Sequence, residues 1–218
     1  MSHGKNEANM TSSDVQGEHH SLIDANRPGF GPRRPYLVLV NGFPGTGKTT
    51  VGKQLSQHLH VPLLSKDAFK ELIFDALGWS DKEWSLKVSA ASHRIMDYLI
   101  AEELKVGHSL IIEANFKPKI DSARFRRYQD TYGALLIQIL CWAQGDVLFD
   151  RYWRRHTSDR HPGHVEAATR EEQRRGLAPG KCEPLSIDGT TIEVDTTDFD
   201  RVDYAGIFAR VTTAMAEP

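Results

Sequence analysis

Residues 41–50 read NGFPGTGKTT, three glycines within six positions followed by a lysine and two threonines. Glycines let a backbone wrap closely around an anion with successive N–H groups pointing inward, and one fixed cation beyond them adds a point charge. Gly42, Gly47, Lys48 and Thr49 satisfy the spacing GxxxxGK[ST], with Phe43, Pro44, Gly45 and Thr46 filling the loop. That pattern implies a nucleoside triphosphate held by residues 42–50. The Lys48 ammonium would reach the β- and γ-phosphates, the Thr49 hydroxyl would take one position on Mg²⁺, and Thr50 would close the grip. ATP and Mg²⁺ are therefore the expected ligands.

A second set of residues bears on where a phosphoryl group could go. Asp67, in SKDAFK, follows a short apolar run, at the strand edge where α/β sheets bind ligands. Its carboxylate either accepts the proton of an attacking hydroxyl or caps the helix that follows, and the two roles are compatible. Lys70, one helical turn on, either steadies a phosphate or the carboxylate or is a solvated surface lysine. Glu113 ends the run SLIIE and Asn115 follows it; an acid there holds magnesium-bound water or a substrate hydroxyl, or is a solvated loop residue. Arg151, Arg154 and Arg155 lie on one predicted helix, with Arg151 and Arg155 sharing a face. From a lid, such guanidinium groups would neutralise charge building on a transferred phosphoryl, or they form a basic surface. His161 and His164, in RHPGH, lack a cysteine or nearby carboxylate to complete a metal site and read as a lid turn. Trp79, Trp84, Trp142 and Trp153 have no repeating spacing and read as core or pocket wall.

The elements that must position these residues alternate between short apolar runs and helix-period segments, the signature of strands and crossover helices in a mostly parallel sheet. YLVLV (36–40), VPLLS (61–65), SLIIE (109–113), LLIQIL (135–140) and TTIEV (190–194) are the five expected strands. Helices are expected from near Lys48, from Asp67 to just before Gly78, and from SDKE at Ser80 to Gly107. The last of these has Val88, Ala91, Ile95, Leu99 and Ile100 on its apolar side. Two more are expected over 122–132 and 202–215. Residues 156–188 read as one long irregular stretch within a lid of about 144–188.

The chain has 218 residues, is 39 % hydrophobic and 26 % charged, and carries a formal net charge of −2. This suits one domain with a filled core and gives no broad basic field for a nucleic-acid backbone. No run of 18 apolar residues offers a membrane span. Cys141 and Cys182 have no CxxC partner, which fits a reducing cytoplasm. Residues 1–34 are polar, rich in Ser, Asn, Gly and Pro, and read as a mobile tail in which His19 and His20 have no assigned role.

Taken in order, NGFPGTGKTT, LLSKDAFKELI, LIIEANF and DRYWRR resemble the motifs of the small P-loop kinases that include zeta toxins, chloramphenicol phosphotransferases and kinases often labelled AAA-family ATPases. The resemblance covers about residues 35–215. It implies a three-layer P-loop fold with a five-stranded sheet and an arginine-bearing lid. It also implies ATP-dependent transfer to a hydroxyl of a small molecule, with Asp67 as general base, Glu113 on the acceptor, and Arg151 with Arg155 or Arg154 on the phosphates. Polynucleotide kinases of this superfamily carry an arginine where this chain has Lys70, and zeta toxins carry glycine and threonine or serine where it has Ala114 and Asn115. The first departure disfavours a nucleic-acid acceptor and the second a UDP-sugar acceptor. A UDP-sugar kinase, a polynucleotide 5′-hydroxyl kinase and a non-catalytic nucleotide-dependent regulator are the competing readings. A monomer or weak dimer is expected, and no oligomerisation element of AAA machines is apparent.

Overall fold

In a computed structural model of the protein, residues 34–158, 160–165 and 168–216 are described. The polar stretch through residue 33, with His19 and His20, lies outside them. Arg34 donates from Nε to the Gly133 carbonyl at 2.6 Å.

Strands β1 (Tyr36–Asn41), β2 (Leu63–Ser65), β3 (Leu110–Glu113), β4 (Leu135–Trp142) and β5 (Gly189–Asp195) form one sheet in the order β2-β3-β1-β4-β5. Every neighbouring pair is parallel. Central strands of such a sheet are buried on both faces, which is why they read as continuous apolar runs rather than as alternating ones.

Successive residues still face opposite sides. Leu37, Leu39, Leu110, Ile112 and Leu136 pack with Met96, Ile100 and Leu104 of α3 (Lys82–Lys105) and Phe125 of α4 (Pro118–Tyr132). Val38, Val40, Ile111, Ile137 and Ile139 pack with Val51 and Leu55 of α1 (Lys48–Leu59) and with Ile207 and Val211 of α7 (Tyr204–Ala216). The result is the expected three-layer α/β arrangement. A smaller cluster joins Leu148 and Tyr152 of α5 (Gly145–Ser158) to Leu177 of α6 (Arg170–Leu177), with Phe43 packed against it. Helix α2 (Lys66–Leu77) follows β2 directly. No helix among the described residues is long and apolar enough to cross a membrane.

Four local expectations are corrected. The stretch 156–188 is not structureless: α5 runs to Ser158, and α6 begins at a capping box in which Thr169 accepts from the Glu172 N–H while Glu172 accepts from the Thr169 N–H. Helix α3 is capped by Asp81 rather than Ser80, because the Asp81 carboxylate accepts from the Trp84 N–H. Its buried face is Ser85, Val88, Ser92, Met96, Ile100 and Leu104, whereas Ile95 is exposed. Two serines can occupy that face because their hydroxyls are satisfied, Ser92 donating to the Val88 carbonyl and Ser85 accepting from Lys70. Trp79, expected in a core or pocket wall, is 49 % exposed.

Candidate active site

The loop after β1 is built by its own glycines and pinned from two distant points. Gly42 has a positive φ and a Cβ there would collide with the Cys141 carbonyl; Gly47, at φ 71°, lies under the Phe199 ring. Only glycine meets both demands. At the loop's start, the fully buried Asn41 side chain accepts from the N–H groups of Gly42 (2.8 Å) and Phe116 (2.9 Å) and donates to the Phe116 carbonyl (3.2 Å). Its middle is held by Thr196, whose hydroxyl donates to the Thr46 carbonyl at 2.9 Å. Sequence reasoning missed both residues. A lone amide closing an apolar strand signals Asn41, but nothing local signals Thr196.

Gly47 is the N-cap of α1, supplies no capping side chain, and no acid stands in the first turn. The unpaired N–H groups and the positive end of the helix dipole are therefore left for an anion. Lys48 Nζ lies across the loop, donating to the Phe43 carbonyl at 3.0 Å. Thr46 is buried and donates to the same carbonyl, so it braces the loop rather than lining the cleft.

Beside the loop, three oxygens gather. Thr49 Oγ1 donates to Glu113 Oε2 at 3.1 Å, and Ser65 Oγ donates to the same carboxylate oxygen at 2.9 Å. Glu113 is buried at the end of β3, which overturns its reading as a solvated loop acid. Hydroxyl and carboxylate oxygens are the hard donors that suit Mg²⁺, which is held by one or two carboxylates together with substrate phosphates.

Thr49 and Glu113, with Lys48, line a cleft of about 520 Å³ at the C-terminal ends of β1, β2 and β3. Pro44 and Gly45 face it from the loop, Thr50 from the first turn of α1, Asp67 and Lys66 from α2, and Asn115 from the segment after β3. Asp67 is not the N-cap of α2; Ser65 is, and Asp67 lies in the first turn. Desolvation in the cleft pulls the Asp67 carboxyl upward, but Lys66, His164 and Lys48 together outweigh it and hold it below the usual carboxylate range. The closest of these is Lys66, with Nζ at 3.1 Å from Asp67 Oδ1.

Arg151, Arg154 and Arg155 all line the cleft, and Arg160 joins them. Arg151 is the most constrained. Its guanidinium donates to the carbonyls of Thr196 (2.8 Å) and Thr197 (3.0 Å) and lies 4.3 Å from the Phe199 ring centroid. Lys70 is not brought into the cleft: it is 8 % exposed, donates to Ser85 Oγ at 2.9 Å, and sits 5.3 Å from the Phe74 ring centroid. The solvated-lysine reading is corrected with it.

Two histidines that sequence reasoning did not place here also face the cleft, His93 from α3 and His164 from the turn after α5. Burial lowers both imidazoles. For His93, Lys66 and Arg124 lower it further against Asp121 and Asp97; for His164, the opposing pull of Glu71 and Asp67 does not recover the loss. Neutral imidazoles at pH 7 can exchange hydrogen bonds with hydroxyls in either direction.

A family model described as an AAA domain matches residues 37–179. Among solved structures, a candidate kinase from Chloroflexus aurantiacus j-10-fl is similar at 40 % identity, covering 83 % of this chain and 98 % of that one, with a TM-score of 0.78. The APS kinase of Mycobacterium tuberculosis, crystallised with AMPPNP and APS, is similar at 17 % identity over 85 % of this chain and 100 % of that one, with a TM-score of 0.53. At that identity the likeness speaks for the fold alone, which is the P-loop NTPase fold. A comparison with curated proteins finds no match.

Proposed function

The chain belongs to the AAA domain family, and on that premise we propose that it is an ATP-dependent kinase transferring the γ-phosphoryl group to a hydroxyl of a small molecule. One observation carries this reading: Asp67 faces the same cleft as the phosphate-gripping loop, Lys48 and the Thr49–Glu113 pair.

The loop N–H groups and Lys48 bind the triphosphate and fix its γ-phosphorus, while Asp67 orients the acceptor hydroxyl. Its oxygen bonds to the γ-phosphorus as the bond to the β,γ-bridging oxygen breaks, and ADP leaves with that electron pair. The hydroxyl proton passes to Asp67 and then to solvent. Held below the usual carboxylate range, Asp67 is ionised at neutral pH and is a weak base. Its part is chiefly to align the hydroxyl and to take the proton late, as suits a loose phosphoryl transition state. Thr49 and Glu113 would hold Mg²⁺, which when bound would supply charge neutralisation on the triphosphate. Segment 144–188 acts as a lid, from which Arg154 and Arg155 approach the phosphates and exclude water.

The direct test is labelled ATP with a panel of sugars, nucleosides, UDP-sugars, aminoglycosides and chloramphenicol-like alcohols. With the accepted substrate in hand, Asp67→Asn should bind ATP within about twofold of wild type and lose about 10²- to 10⁴-fold in transfer. Equal turnover in Asp67→Asn refutes its role.

A further inference from the structure

Six cationic side chains, Lys48, Lys66, Arg151, Arg154, Arg155 and Arg160, line the cleft against two carboxylates, Asp67 and Glu113, a formal excess of four positive charges. A triphosphate counted with its magnesium brings roughly −2. About two positive charges therefore remain for whatever else the cleft takes in, and a cleft focuses such an excess on its ligand.

The surplus has a location. Lys48 belongs to the loop, and Arg151 is engaged with two carbonyls and Phe199 above Gly47. Lys66 stands beside Asp67, its side chain only 15 % exposed and in direct contact with the carboxylate. Arg160 lies over the Tyr152 ring, 5.7 Å from its centroid, and lines the same cleft as Asp67 and His164.

Size points the same way. About 520 Å³ lies in the lower half of the range that holds one drug-sized ligand. Part of it goes to the triphosphate tail, and the remainder suits a small acceptor. Neutral His93 and the Asn115 amide add groups suited to hydroxyls.

From this arrangement we infer that the acceptor is a small polyhydroxylated anion, bearing a carboxylate or phosphate that Lys66 and Arg160 hold while a hydroxyl lies at Asp67. This rests on the kinase reading for the word acceptor, but the charge preference is a binding property and is testable without turnover.

The experiment is calorimetry on the full chain loaded with Mg·AMPPNP, titrated with two matched triplets: glycerol, glycerate and glycerol 3-phosphate; glucose, gluconate and glucose 6-phosphate. At least one charged member should bind about tenfold or more tightly than its neutral parent. Comparison of the carboxylate and phosphate arms tells which anion is meant. Lys66→Gln and Arg160→Gln should each shrink the preference to about threefold or less while Mg·AMPPNP affinity stays within about twofold. Lys66→Arg should restore most of it. No preference for the charged member in either triplet, including no binding by any member, overturns the inference; so does a preference unchanged in both glutamine variants. Charge-selective binding without transfer from labelled ATP to any bound member would instead count against the kinase reading and leave the anion site standing.

Discussion

His164 Nε2 lies 2.8 Å from Glu71 Oε1, joining the turn after α5 to the helix that carries Asp67. A second pair repeats the connection, His161 Nε2 standing 3.1 Å from Asp75 Oδ1. Glu71 and Asp75 are four apart and share one face of α2, and Phe74 contacts both rings, stacked on His161 and edge-on to His164. The RHPGH turn is thus a docking element, tied to α2 by two histidine–carboxylate pairs.

If that docking places His164 beside Asp67, truncation on either side should be felt at the other. His164→Ala and Glu71→Ala should each cost about 1–2 kcal/mol of stability, and the double variant should cost clearly less than the sum. Thermal melts of the four proteins in a double-mutant cycle check this; additive losses would show the pair to be uncoupled.

Stability should also depend on pH through His93 and His164. Both are depressed in the folded chain, so the unfolded chain binds their protons more readily. Their contribution is complete above about pH 6.5 and drains as pH falls through the depressed values. The groups facing them, Lys66, Arg124, Asp121 and Asp97 for His93 and Glu71, Asp67, Arg160 and Lys70 for His164, leave that direction unchanged. Melting temperatures of wild type and of His93→Gln/His164→Gln, measured from pH 7.5 to 5, should diverge in slope, with the variant flatter. Parallel curves would remove the assignment.

Gly47→Ala should damage the loop twice. The left-handed backbone there costs a side chain roughly 1–2 kcal/mol, and the new methyl collides with Phe199. Adding Phe199→Ala relieves the collision but not the backbone strain. Nucleotide affinity and melting temperature should therefore recover in part; full recovery, or none, contradicts this account.

Glu113→Gln keeps the shape of the Thr49–Glu113–Ser65 cluster and removes its charge. The Mg²⁺ concentration needed for half-maximal nucleotide binding should rise about tenfold, while nucleotide affinity in excess chelator stays as in wild type. An unaltered magnesium titration would place the metal elsewhere.

Lys48→Ala should weaken triphosphate binding about 10- to 100-fold, the loss of a charge-assisted contact, with adenosine affinity little altered. Calorimetry with ATP and with adenosine separates the two.

Much of this protein was legible before folding was considered. The five strands declared themselves because burial on both faces forces continuous apolar runs, and their order along the chain matches the observed elements. The loop was legible because its signal is contiguous: glycines at 42, 45 and 47 with positive φ, then Lys48 and Thr49 at fixed spacing, even though distant residues pin it in place. Helix α6 was overlooked although its capping box stands in the sequence, because six charged and polar residues followed by Gly176 and Leu177 offer little apolar period to detect. The buried face of α3 was misread because two of its positions are serines, one satisfied within its own helix by the Val88 carbonyl and the other by Lys70 of α2.

By itself, then, the sequence determined the glycine-rich loop with its lysine, the α/β class and the carboxylates at or just beyond the strand ends, since each is written in contiguous residues. Tertiary structure alone decided that Asn41 would bind Phe116 across 75 positions and Thr196 would hold Thr46 across 150. It also decided that Lys70 would turn away to Ser85 while Lys66, His93, His164 and Arg160 turned in. Those outcomes depend on how crossover helices pack against a parallel sheet. Packing brings together side chains whose separation along the chain carries no trace of their meeting.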